Sequence, residues 1–107
     1  MKTFVQPGKT LTFTAPAGGV LAGNGYKIGD LFTVANYSAA EGAEFEGDLE
    51  GVFELPKAAG AIAEGVKVYW VTANANVTTT ASGNTLIGHA AAAAADGAST
   101  VRVRLSN

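Results

Sequence analysis

The sequence predicts an all-β protein: a small β-sandwich, jelly-roll-like or barrel domain with short Gly-rich loops. Three observations predict it. Short runs alternate polar and apolar residues with the period of two that a half-buried strand imposes. Fourteen glycines and three prolines punctuate those runs. No stretch carries the 3.6-residue apolar spacing of a long amphipathic helix. At 107 residues the chain reads as one domain, residues 1–107, since single cores commonly hold about 100–150 residues.

The first expected strand is Thr10 to Thr14, TLTFT, with Leu11 and Phe13 on one face and threonines on the other. Pro7-Gly8 and Pro16 bracket it. Val20-Leu21 is a short apolar piece, Gly23-Asn24-Gly25 turns, and Tyr26-Lys27-Ile28 begins a second strand that Gly29-Asp30 breaks. Leu31 to Tyr37 is a third, with Leu31, Thr33, Ala35 and Tyr37 on one face and Phe32, Val34 and Asn36 on the other. Both faces start apolar, so this strand is expected between two core layers. From Ala43 to Leu49, Phe45 and Leu49 point one way while Glu44, Glu46, Asp48 and Glu50 point the other. The phase slips at Gly51, before Val52-Phe53, which predicts a β-bulge. Pro56 closes the strand.

Lys57 to Gly65 reads as a loop or one helical turn. Val66 to Val71 is a strand with Val66, Val68 and Trp70 on one face. Val77 to Thr80 is a Thr-rich strand ended by Ser82-Gly83-Asn84. Leu86 to Ala95, LIGHAAAAAA, is ambiguous. Alanine favours helix, but Gly88 interrupts the start, and Asp96-Gly97 is a strong hairpin signal between strands. The segment is therefore read as one arm of a hairpin. The other arm is STVRVRL, with Val101, Val103 and Leu105 inward and Arg102 and Arg104 outward.

Composition narrows the function. Hydrophobic residues make up 48%, enough for a core, but charged residues only 15%, against about 25% in a typical soluble domain. A surface so poor in charge is weakly protected against association, as suits a member of an assembly. The net charge of −2 argues against a nucleic-acid binder, which normally carries a basic face. The absence of cysteine removes disulfides and thiolate chemistry. The opening MKTFVQPGKT has no apolar signal-like region, and Val68 to Ala95 is too rich in Thr, Asn, Ser and Gly for a membrane span, so neither secretion nor a membrane is expected.

Four features could carry chemistry. Gly8-Lys9-Thr10 is the tail of a P-loop, but the required first glycine falls on Thr3, and a strand rather than a helix follows. Glu44, Glu46, Asp48 and Glu50 could bind calcium, yet carboxylates spread along a strand do not converge as calcium ligands do. They read instead as a solvated face that discourages edge pairing, or as a stripe meeting a basic partner. His89 has no metal-ligating or catalytic companions in its segment. Arg102 and Arg104 could pair with the acidic row if the strands are neighbours, or face another subunit. No catalytic residue, cofactor site or metal site is assigned, and an enzyme is not expected.

The stretches MKTFVQPGKTLTFTAPAGGV, GVFELPKAAGAIAEGVKVYW, TTTASGNTLIGHAAAAAADG and TVRVRL together resemble the small capsid cement, or decoration, proteins of tailed bacteriophages. The resemblance spans essentially the whole chain and rests on packing and turn patterns. It implies a virion protein on the outer capsid surface, made in the host bacterial cytoplasm. It also implies bridging of major capsid protein subunits, as a homo-dimer or homo-trimer. The competing readings are a free-standing binding module and, on the GKT triplet alone, a nucleotide-dependent recombination factor. The expected partner interface comprises Thr3, Phe4 and Val5, in an N-terminal segment set apart by Pro7-Gly8, together with Trp70, which reads as either core or anchor.

Overall fold

The computed structural model describes residues 9–106, and these build nine strands and no helix. The strands are β1 (Thr10–Thr14), β2 (Gly25–Ile28), β3 (Leu31–Ala35), β4 (Glu44–Asp48), β5 (Val52–Pro56), β6 (Lys67–Val71), β7 (Asn76–Thr78), β8 (Thr85–Ala90) and β9 (Thr100–Leu105). They form two antiparallel sheets, divided by sequence half. The first four make a sheet ordered β1-β4-β3-β2, and the last five make one ordered β5-β9-β8-β6-β7. The all-β expectation is met, by a small domain of two sheets. The expected interface residues Thr3, Phe4 and Val5 lie outside the described residues.

The junction between the sheets corrects one expectation. The phase slip at Gly51 is not a bulge within a continuing strand; it is where the chain leaves one sheet for the other. Leu49 N–H donates to the Lys9 carbonyl at 2.8 Å, closing the first sheet, and the Gly51 carbonyl accepts from Leu105 N–H at 2.9 Å, opening the second. Gly51 has φ 120, a backbone setting that side-chain-bearing residues rarely adopt. A bulge and a sheet switch both shift the side-chain phase by one, so the pattern alone does not separate them.

β3 is the strand between layers. Its last four residues are all buried. Phe32 and Val34 point into a core with Leu55, Val68, Trp70, Val77, Ile87, Val101, Val103 and Leu105 of the other sheet. Phe32 and Trp70 meet with ring centroids 4.8 Å apart. On the opposite side, Ala35 joins Ala15, Val20 and Phe45 in a second, smaller core, where Phe13 stacks on Phe45 at 5.6 Å. Thr33, fully buried on that side, donates its hydroxyl to the Asp48 carbonyl at 3.0 Å. Burying a side chain of Leu or Phe size stabilises by about 1.5–3 kcal/mol, so the larger cluster dominates and joins the two sheets.

β8 and β9 form the expected antiparallel pair, with Gly88 opposite Leu105, His89 opposite Arg104 and Ala90 opposite Val103. The alanines thus begin in a strand. Asp96-Gly97 is not a two-residue turn, however, because the connection runs from Ala91 to Ser99. Tertiary contacts hold it open. Ala94 bridges Ile62 in the 57–65 loop, and Asp96 Oδ1 accepts from Gly60 N–H at 2.7 Å. The Lys57 ammonium, in a buried residue, donates to the carbonyls of Ala58, Gly60 and Asp96 at 2.9, 2.7 and 3.1 Å. The 57–65 segment is a loop without a helical turn, while β3 and β7 end two residues short of their expected limits.

Candidate interaction surfaces

The acidic row lies on the four-stranded sheet. Register places Thr10 opposite Asp48, Thr12 opposite Glu46 and Thr14 opposite Glu44, so three threonines and three carboxylates share one face. The same face carries Phe32 and Val34 on β3, since Val34 pairs with Asp48. Its β3 part is core and its β1–β4 part is wet: Thr12, Thr14, Glu44 and Glu46 are exposed. Thr10 donates its hydroxyl to Asp48 Oδ1 at 3.1 Å. Among the described residues, no group of three or more His, Cys, Asp or Glu side chains is placed to hold a metal ion.

Lys67, His89, Arg102 and Arg104 lie on the other sheet, while exposed Lys27 of β2 shares the sheet of the acidic row. β9 alternates strictly, with Val101, Val103 and Leu105 buried and Arg102 and Arg104 exposed. The arginines do not neighbour the acidic row, because β4 and β9 belong to different sheets. Arg102 lies across from Glu54, with Nε 3.8 Å from Oε2. Both side chains are more than half exposed, so the pair adds only about 0–1 kcal/mol to stability. Arg104 is opposite Val52 on one side and His89 on the other, and His89 is opposite Lys67. A row Val52–Arg104–His89–Lys67 therefore crosses four strands. Exposed Leu86 and half-buried Tyr69, paired on neighbouring strands, extend it. Arg102 and Arg104 announce themselves in sequence by alternation. Lys67 and His89 do not, because only long-range register brings them alongside.

Among the described residues, recesses on the surface include two that touch residues already named. One, of about 280 Å³, is walled by Ala92 to Ala95 and Ala98 with Glu54 and Arg102 at its edge. The other, of about 190 Å³, lies where the sheets meet and is lined by Asn24, Gly25, Tyr26, Pro56, Trp70 and Ala75. Trp70 is only 3% exposed; it is mainly a core residue whose edge reaches this recess. Lys9 and Thr10 of the GKT triplet lead straight into β1, so no helix start stands there to cradle a phosphate.

What these residues assemble is a two-sheet scaffold that presents broad faces, small-residue loops and shallow recesses, the build of a structural, binding protein. A family model for phage cement proteins matches residues 5–105, nearly the whole chain, and the chain belongs to that family. No curated protein and no solved structure matches it. Membership makes the chain a phage cement protein, a structural class.

Proposed function

We propose that this protein binds the outer surface of the phage head and stabilises it by bridging neighbouring major capsid subunits. The observation that carries the reading is the family match over residues 5–105. The charge-poor surface and its open sheet faces support it, since extended contact with a shell needs area more than a pocket. Purified protein mixed with expanded heads that lack it should bind in fixed stoichiometry at capsid symmetry axes and raise the temperature at which heads rupture. Failure to bind, with the protein found only free in lysates, overturns the reading.

The segment Met1 to Gly8, which contains Phe4 and Val5, is proposed as a second grip on a neighbouring copy or on the shell. Linked contacts multiply weak affinities by about 10²–10⁴ when geometry permits. Deleting residues 1–5 should leave the thermal transition in place and weaken head binding. A truncated chain that no longer folds would instead place the segment in the core.

A further inference from the structure

We propose that the outer face of the five-stranded sheet, centred on Arg104, His89 and Lys67, docks the threonine–carboxylate face of β1 and β4 on a second copy of this chain. The inference builds on self-association, which the family resemblance implies without naming a surface.

Charge separation within one small molecule is the first argument. Five of the nine acidic residues, Glu41, Glu44, Glu46, Asp48 and Glu50, lie in one ten-residue stretch. Arg102, Arg104, Lys67 and His89 gather on the other sheet; the exceptions are Lys27, on β2 of the acidic sheet, and Glu54, which pairs with Arg102. Within one chain the two sets cannot satisfy each other, because they sit on different sheets. Among the described residues, neither Arg104 nor Lys67 has an ion-pair partner. Between copies the same two faces are complementary.

Shape is the second argument. Both faces are strand surfaces, the cationic one interrupted by a register shift between Val68 and Tyr69 on β6. The cationic face is half apolar: Val52 is 56% exposed and Leu86 41%, beside partly exposed Tyr69. Such residues gain from being covered. The facing surface offers three threonines with methyl groups to pack, and Thr10 donates its hydroxyl to Asp48. Few long side chains need ordering apart from the charged ones that make the contact.

Direction is the third argument, and it fixes how the faces cross. The acids follow one strand at alternate residues, about 7 Å apart. Arg104, His89 and Lys67 run across the strands, one on each of β9, β8 and β6, about 4.8 Å apart. Two rows can lie over each other only when the strands of the two sheets cross near a right angle, one of the two common ways that sheets pack. The contact is heterologous, since each copy gives one face and receives on a different one. Repetition therefore closes a ring or extends a filament, and a cement made of discrete units requires the ring.

The test uses the full chain without heads, so its failure leaves head binding untouched. Sedimentation velocity measures self-association of the wild type, of Glu44→Lys with Glu46→Lys, and of Lys67→Glu with Arg104→Glu. All four sites face solvent at least in part, and circular dichroism checks the fold. Milder variants, Glu46→Gln and Arg104→Gln, stand in if a reversal unfolds. Each reversed variant should associate at least about tenfold more weakly, since like charges then face each other. An equimolar mixture of the two should recover a complex, and 0.5 M NaCl should weaken the wild-type assembly. A monomeric wild type, unchanged association in either variant, or a mixture no stronger than its components overturns the proposal.

Discussion

Gly88 sits where β8 and β9 approach most closely, and a Cβ there would fall on the Arg104 carbonyl oxygen. Backbone cannot swing aside as a flexible side chain does. Gly88→Ala should therefore destabilise by about 1–3 kcal/mol, read as a lower urea midpoint with an unchanged slope. Gly97→Ala meets nothing within 4 Å and should stay within about 0.5 kcal/mol of wild type. Lys57 is the other decisive single residue. Its ammonium serves three carbonyls on two loops. Lys57→Met keeps the aliphatic stem and removes the donors, leaving acceptors unsatisfied at a cost of about 1–3 kcal/mol. Hydrogen exchange should quicken in residues 58–65 and 91–99 before it quickens in the strands. Nothing in the sequence marks Lys57 as a clamp, because its three acceptors are backbone atoms and any sequence could supply them.

At the scale of elements, alternation made the strands legible wherever one face is wet. TLTFT, EFEGD and TVRVRL fold as their patterns read. Alternation failed where the chain changes partner. Gly51 and its neighbours form a sheet switch whose phase slip is indistinguishable from that of a bulge. The Ala91–Ser99 connection is held by Ile62, Lys57 and Gly60 rather than by the Asp-Gly dipeptide. The switch has its own test. Gly51→Ala forces a side chain into φ 120 and should cost about 1–3 kcal/mol. A calorimetric scan should show the loss as a lower transition temperature. A D-alanine at the same position, introduced by ligation, accepts that backbone angle and should recover most of it.

For the molecule as a whole, the sheets are joined chiefly through Phe32 and Val34 packing into the larger core. Trp70 is the sole tryptophan and rests on Phe32, so its emission reports the docking of one sheet on the other. Phe32→Ala should cost about 3–5 kcal/mol and shift the emission to longer wavelength. In the wild type, denaturation followed by emission and by far-ultraviolet circular dichroism should coincide, as an all-or-none transition requires. The all-β class was readable in the sequence; the division into two sheets was not. The candidate surfaces were readable only in halves: the acidic row and both arginines are local patterns, whereas Lys67, His89 and the Trp70 recess depend on pairings between distant strands.

The division of the sheets by sequence half also sets a clock. During synthesis every pairing of the first sheet is available once residue 49 has cleared the ribosome, yet the Phe32–Val34 surface lacks its full cover until β9 emerges. At about 5–20 residues per second, the interval lasts roughly 3–12 s. Throughout it a sticky layer, covered only in stages as Leu55, Val68, Trp70 and Ile87 emerge, is displayed beside sister chains on the same message. A protein needed in many copies at once meets that hazard on every polysome, and the speed of translating its second half bears directly on yield.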